Sequence, residues 1–159
     1  MKYLSRSIKS LVTESLIPNK VVVLLGPRRV GKTVLINQIL EETVEPYLLL
    51  NGEDIATREL FSRRSVENFL QLLDEKLLLV IDEAQKIPDI GNSFKLMIDE
   101  IKGLRILVTG SSVFDIENYT GEPLTGRKFT YNLFALAEEE YHQVQPLLIR
   151  KDKLRERLV

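Results

Sequence analysis

The chain alternates between short apolar runs and longer segments in which apolar residues recur at helical spacing. The apolar runs predict five strands, at about 20–25, 46–50, 77–81, 104–108 and 128–133. The helical spacing predicts helices over 3–17, from the first loop to about 42, over 65–74, over 92–102 and after the last strand. A polar, charged stretch joins the second strand to the next predicted helix.

Strands that alternate with helices are typical of a parallel sheet whose connections cross over through helices. The runs are continuously apolar, so we expect both faces of the sheet to be covered and the strand at 46–50 to be buried. In such sheets, ligands bind outside the carboxyl ends of the strands. Most of the polar motifs described below directly follow a predicted strand, so we expect them to meet at that edge.

Composition narrows the function classes. The 159 residues suffice for one domain with a substantial core, and 44% apolar and 28% charged residues are typical of a soluble globular protein. The net charge of −1 and the pI near 6.0 do not indicate a nucleic-acid partner. The chain has no cysteine, which excludes disulfides and cysteine–zinc sites and fits the cytoplasm. Its one histidine, His142, is predicted on a polar surface, and no signal peptide or membrane-spanning run indicates a membrane partner.

The strongest chemical signal is a stretch that follows the first strand and opens a helix. It fits the phosphate-binding pattern G-x-x-x-x-G-K-[ST] and reads Gly26-Pro27-Arg28-Arg29-Val30-Gly31-Lys32-Thr33, followed by Val34. Glycines let backbone N–H groups point at an anion, and the first helical turn adds its own unpaired N–H groups. Lys32 can place its charge on the β- and γ-phosphates, and Thr33 can place its hydroxyl on Mg²⁺. We predict that residues 26–34 bind a nucleoside triphosphate.

Two acids, Asp82 and Glu83, end the third strand. A charge at the end of a buried strand needs a partner, and Mg²⁺ held through water would give Asp82 one. Glu83 can polarise an attacking water as a general base in hydrolysis. Two acids could also end a strand without any chemistry. The phosphate-binding stretch about 50 residues upstream favours the catalytic interpretation.

Small hydroxyl residues follow the fourth strand, and an arginine precedes the fifth. Ser111, with Thr109 as second choice, could contact the attacking water or the γ-phosphate, although such residues are also common helix caps. Arg127 could stabilise charge in the transition state, in cis or toward a neighbouring molecule. On its residue type and position alone, a surface arginine at the start of a strand is the favoured interpretation.

Four ordered segments, GPRRVGKT, LLLVIDEAQKIPD, LVTGSS and LTGRKFTYNLFALAEEEY, together resemble a known family. They are similar to AAA+-like P-loop ATPases of bacteria and archaea, in which an N-terminal ATPase domain precedes a C-terminal domain of uncharacterised function. The resemblance runs to about Tyr141. It implies an α/β, three-layer fold with a parallel sheet of order 5-1-4-3-2 and helices on both faces.

The resemblance also implies the roles of single residues. ATP and Mg²⁺ bind at the phosphate loop, with Asp82 holding Mg²⁺ through water and Glu83 acting as the base. Ser111 with Ser112 matches the sensor position, and the family's Gly-Arg pair matches Gly126 and Arg127. Gln85 and Lys86 match the family's segment after the acids, with no assigned role.

We therefore expect an ATPase domain over 1–141, which includes the amphipathic helix at 3–17. A helical segment at 142–159 leads toward a C-terminal region that the longer family members carry. The expected activity is Mg²⁺-dependent ATP hydrolysis, and the alternative is a nucleotide-binding switch with little turnover. A protein partner or self-association is compatible with either. A kinase is disfavoured because no second substrate pocket is evident, and a GTPase because no Asn-Lys-x-Asp segment is present.

Overall fold

The computed structural model describes residues 7–111 and 124–135. They form a five-stranded sheet in which every pairing is parallel. The strands are β1 (Lys20–Leu25), β2 (Leu48–Asn51), β3 (Leu78–Asp82), β4 (Arg105–Gly110) and β5 (Lys128–Asn132). The helices are α1 (Lys9–Ser15), α2 (Lys32–Glu41), α3 (Ile55–Ser62), α4 (Val66–Leu73) and α5 (Ile90–Glu100).

The order of the strands across the sheet is β2-β3-β4-β1-β5. Counted from the other edge, this is the predicted order 5-1-4-3-2, which the structure confirms. Strand β4 lies between β1, which leads into the phosphate loop, and β3, which ends in the two acids. The order therefore brings the three predicted motifs onto adjacent strands.

Two apolar clusters cover the two faces of the sheet. Successive strand residues point to opposite faces, so Val21 and Val23 belong to one cluster and Val22 and Leu24 to the other. Helix α2 packs on the second cluster, whereas α4 and α5 pack on the first. The predicted three-layer arrangement with helices on both faces is confirmed.

The prediction that the second strand is buried was wrong. Strand β2 pairs with β3 alone and forms an edge of the sheet, so alternate residues remain accessible and Leu49 is 44% exposed. The strand also begins at Leu48, two residues after Pro46, which has no N–H to donate to a neighbouring strand. An apolar run therefore predicted a strand correctly but not its place in the sheet.

Helix α3 lies in the polar stretch for which the sequence pattern predicted no helix. The side chain of Asp54 caps it by accepting a hydrogen bond from the backbone N–H of Ala56 at 3.3 Å. Only Thr57 and Phe61 of this helix are buried, which explains why the apolar periodicity was too weak to reveal it. The ring of Phe61 lies 5.6 Å from that of Phe69 on α4 and anchors the helix.

Several predicted segments lie partly or wholly outside the described residues. Helix α1 falls within the predicted range 3–17, and Pro18 follows it closely as expected. Ser112 and the segment 142–159 are outside the description. Across the described ranges, no helix has the length and apolar character needed to cross a membrane.

Candidate functional site

The phosphate loop joins the last residue of β1 to the first residue of α2. Gly31 caps the helix with φ of +102°, a conformation that glycine adopts without steric cost. Its carbonyl accepts the first hydrogen bond of the helix, from the N–H of Leu35 at 3.0 Å. Arg29 also has a positive φ, of 64°, so the loop turns sharply around residues 29–31. Such a turn directs consecutive backbone N–H groups toward one point, as anion binding requires.

Gly26, at the start of the loop, is required by close packing. A β-carbon at this position would lie 2.5 Å from the carbonyl oxygen of Leu133, just beyond β5. The Gly26 N–H donates to the carbonyl of Gly110, at the end of β4, at 3.2 Å. Any larger residue would therefore push the loop away from the sheet edge.

Lys32 is a charged residue held almost entirely inside the protein, with 5% of its surface exposed. Its Nζ donates to the carbonyl oxygens of Gly26 at 2.7 Å and Pro27 at 2.9 Å. An ammonium group has three donors, so one remains for a phosphate oxygen. A cavity of about 290 Å³ opens beside it, lined by Arg29, Gly31, Lys32, Thr33, Val34 and Glu83.

The other predicted loop residues have distinct positions. Arg28 and Pro27 are exposed at the tip of the loop, and the Pro27 carbonyl is one of the two anchors of Lys32. Val30 is half-buried and packs against the apolar cluster under α2. The loop therefore divides into residues that face the cavity and residues that fix its shape.

Asp82, at the end of β3, is the centre of a hydrogen-bond network. Its Oδ2 accepts from the hydroxyl of Thr33 at 2.6 Å, and its Oδ1 accepts from the hydroxyl of Thr109. Mg²⁺ binds oxygen ligands, and the adjacent Thr33 hydroxyl and Asp82 carboxylate are the donor types it takes. Within residues 7–111 and 124–135, no three acidic or histidine side chains gather into a metal site. Mg²⁺ would therefore need phosphate and water oxygens to complete its shell, as is usual beside a nucleotide.

Thr109 has a different role from the one considered for it. The residue is fully buried, and its hydroxyl donates to Asp82 and accepts the backbone N–H of Glu83 at 3.0 Å. It therefore fixes the two acids in position, and its hydroxyl is committed to them. The direction of the Thr109 side chain follows from the parallel register. Ile81 lies opposite Val108, so the next residues of the two strands, Asp82 and Thr109, lie side by side.

The backbone at Glu83 is held in an unusual conformation, with φ of 53°. Gly52, just beyond β2, packs directly against it, since a β-carbon on Gly52 would lie 2.2 Å from the Glu83 carbonyl oxygen. Sequence reasoning did not assign Gly52 a role. The available signal was a glycine immediately after a strand at the edge where the site was expected. With this support, the Glu83 side chain lines the same cavity as Lys32.

The structure does not bring Arg127 to the carboxyl edge of the sheet, where the strands end and the other site residues lie. Arg127 lies at the amino edge, where the strands begin. Its carbonyl pairs with the N–H of Val21 at the start of β1, and its side chain forms an ion pair with Asp99 at 3.2 Å. Strands rise about 3.3 Å per residue, so the length of β5 separates Arg127 from the loop by roughly 16 Å. Ser111 does lie at the correct edge, half-buried and one residue beyond Gly110.

A second cavity, of about 370 Å³, adjoins the Thr33–Asp82 pair on the side of β2 and α3. Its lining combines apolar side chains with amides and hydroxyls. The residues are Thr33, Ile36, Asn37, Leu49, Leu50, Asn51, Asp54, Thr57 and Asp82. Thr33 lines both cavities, so anything bound in the second would lie next to Thr33 and Asp82.

Comparison with known proteins gives a consistent result. The model of a family described as an AAA domain matches residues 18–142. Two uncharacterized proteins, one from Mycobacterium bovis and one from Mycobacterium tuberculosis, are each 32% identical over 108 residues. Those residues cover 67% of this chain and 23% of each relative, so the chain spans about a quarter of the curated relatives it matches.

Solved structures share the fold at low sequence identity. A chain from a structure of katanin self-assembly superposes with a TM-score of 0.61 and 16% identity, over 89% of this chain and 55% of that one. The Pif1 helicase from Candida albicans superposes with a TM-score of 0.58 and 14% identity, over 90% of this chain and 42% of the helicase. At these identities the likeness concerns the fold alone.

Proposed function

The chain belongs to the AAA domain family, and from that premise we propose that it binds ATP with Mg²⁺ and hydrolyses it to ADP and phosphate. The observation that carries the proposal is the convergence of Lys32, Thr33 and Glu83 on one cavity. A cation, a metal-binding hydroxyl and a carboxylate are the three groups that phosphoryl transfer to water needs. The cytoplasm, where ATP and Mg²⁺ are available, is the compartment that fits this function.

In the proposed reaction, the phosphate chain lies along the loop between Gly26 and Val34. Lys32 uses its remaining donor on a phosphate oxygen, while the N–H groups of the turn bind the others. Thr33 and Asp82 hold Mg²⁺, which neutralises phosphate charge when bound. Ser111, at the same edge, donates its hydroxyl to the γ-phosphate or the water.

Glu83 takes the role of general base. Its carboxylate accepts a proton from a water molecule as the water oxygen bonds to the γ-phosphorus. The bond from that phosphorus to the bridging oxygen breaks, and ADP leaves with the electron pair. Thr109 and Gly52 fix the backbone of Glu83, so little reorganisation is needed when the reaction occurs.

Arg127 can take part in hydrolysis only at the phosphate loop of a neighbouring molecule. Its position at the amino edge and its ion pair with Asp99 do not support a role on its own phosphate loop. A neighbouring copy or protein partner that presents its phosphates to this edge would be required. Turnover that rises more steeply than protein concentration, and loses this dependence in Arg127→Ala, would support a role in trans.

Single-turnover phosphate release tests the proposal. With the chain in excess over ATP, we expect wild type to release phosphate only with Mg²⁺, and Glu83→Gln to release it on the order of 100-fold more slowly with unchanged ATP affinity. Glu59→Gln, an exposed glutamate on α3, is the matched control and should match wild type. Equal rates in Glu83→Gln and wild type would contradict hydrolysis by this site.

Two alternatives predict different outcomes in the same assay. A nucleotide switch would bind ATP through Lys32 and release no phosphate above background. A kinase would need an acceptor, and the second cavity, at about 370 Å³, has a size suited to a small molecule beside the metal ligands. For a kinase, the γ-phosphate should appear on an added acceptor, and release to water should stay low.

A further inference from the structure

A short 3-10 turn, Ala84–Lys86, follows directly on Glu83 and contains a polar side chain that the proposed reaction does not use. This side chain is Gln85, whose Nε2 donates a hydrogen bond to Oε2 of Glu83. The amide nitrogen must face the carboxylate, because the amide oxygen and the carboxylate oxygens can only accept. Gln85 therefore contacts the carboxylate that lines the phosphate cavity.

The backbone of Glu83 is fixed independently of this contact. Its N–H donates to Thr109, and its carbonyl accepts from the N–H of Lys86 at 3.1 Å and packs against Gly52. With the backbone held on both sides, the direction of the carboxylate depends on the side-chain torsions. Gln85 supplies the hydrogen bond that restrains those torsions.

Gln85 is half-buried, and the surroundings of its amide oxygen indicate that stability does not explain its presence. Its Oε1 is shielded from solvent and has no hydrogen-bond donor among the described residues. A buried acceptor without a partner is unfavourable, and an apolar side chain in the same place would avoid that cost. The bond from Nε2 to Glu83 is what this amide contributes.

We propose that Gln85 is a positioning residue that holds the Glu83 carboxylate in the direction from which it accepts the proton of the attacking water. This inference rests on the proposed hydrolysis. It predicts that Gln85→Ala slows single-turnover phosphate release by on the order of 10- to 100-fold, since small misplacements of a catalytic group have effects of that size. ATP affinity should stay within about twofold of wild type, because Gln85 does not line the phosphate cavity.

A double-mutant cycle separates positioning from a general structural effect. If Gln85 acts through Glu83, Gln85→Ala should cause no further loss in a Glu83→Gln background. Lys86→Ala, in the same turn but exposed, is the matched control and should retain the wild-type rate. A wild-type rate for Gln85→Ala, or the same fold loss in both backgrounds, would overturn the inference.

A second measurement does not depend on turnover. In a ¹⁵N-labelled chain, the side-chain amide signal of Gln85 should shift on Glu83→Gln and stay in place on Lys86→Ala. If wild type releases no phosphate, the proposed hydrolysis is contradicted, and this signal still tests separately whether Gln85 holds the Glu83 carboxylate. A shift on Glu83→Gln would support it, and an unchanged signal would overturn it.

Discussion

Two lysines make the same kind of contact at opposite edges of the sheet. Lys32 at the carboxyl edge donates from Nζ to the carbonyl of Gly26, and Lys20 at the amino edge donates to that of Gly126, both at 2.7 Å. Lys32 also lines a cavity that Glu83 shares, whereas Lys20 only closes the turn before β5. The hydrogen bond to a glycine carbonyl is equivalent at both lysines, so the surroundings of each lysine determine whether it can bind a ligand.

The rest of the amino edge follows the pattern of Lys20. Asn19 donates to the carbonyls of Ile98 at 2.7 Å and Ile101 at 3.1 Å, and accepts from the N–H of Gly103 at 3.1 Å. Its polar atoms are used in closing loops. At the carboxyl edge the loops diverge from adjacent strands, and this leaves polar side chains around an open space. Three pairs of substitutions and one single substitution test this difference between the edges.

The largest expected effect is on nucleotide binding. Lys32→Ala removes a buried charged donor and should weaken the affinity for Mg²⁺·ATP by about 3 kcal/mol, on the order of 100-fold. Lys20→Ala should leave the affinity unchanged. Isothermal titration with a non-hydrolysable ATP analogue measures both variants. Equal losses in the two variants would show that the edges do not differ as proposed.

The next effect is on stability. Thr109→Val keeps the shape of the side chain but removes the partner of Asp82 Oδ1 and of the Glu83 N–H, so the free energy of unfolding should fall by about 2–3 kcal/mol. Thr130→Val, at an exposed position on β5, should change it by less than about 0.5 kcal/mol. Urea denaturation gives both values. A Thr109→Val chain as stable as wild type would mean that the buried network contributes little.

Two glycines offer a subtler comparison. Gly52→Ala places a β-carbon against the Glu83 carbonyl, whereas Gly126→Ala strains a residue with φ of +73° and meets no atom within 4 Å. Each change should reduce the free energy of unfolding by about 1–2 kcal/mol. Only Gly52→Ala should also slow phosphate release, because it displaces Glu83. Slower release in Gly126→Ala would indicate that the amino edge influences the chemistry.

The smallest effect concerns Arg127. The ion pair with Asp99 is more than one-third exposed on both sides, so Arg127→Ala should reduce stability by less than about 1 kcal/mol. At protein concentrations that keep molecules apart, single-turnover phosphate release should match wild type. A large loss of release under those dilute conditions would contradict the position of Arg127 at the amino edge.

The buried framework was predictable because β1, β3 and β4 are continuous apolar runs with both faces covered. The exposure of β2 was not predictable, because apolar content does not reveal which strand lies at the edge of a sheet. Helix α3 was missed because its two buried residues give too little periodicity. The strand order came from the family resemblance, since hydrophobic spacing alone contains no information on pairing.

The candidate site was predictable where chemistry is local in sequence, as in the loop and the acidic pair. Thr109 and Gly52 act across strands, so their roles depend on register and on packing between segments distant in the chain. The location of Arg127 could have been predicted, since a residue that precedes a parallel strand lies at the amino edge. The catalytic interpretation of Arg127 came instead from the family resemblance, in which Gly126 and Arg127 match a Gly-Arg pair.

The central claim is that the carboxyl edge is the ATP site, and a crystal structure with Mg²⁺ and a non-hydrolysable ATP analogue tests it most directly. The account predicts phosphates in the cavity of about 290 Å³ beside Lys32, Mg²⁺ at Thr33 and Asp82, and the Glu83 carboxylate facing the γ-phosphate. An analogue bound away from this cavity, or phosphates out of reach of Lys32, would contradict it.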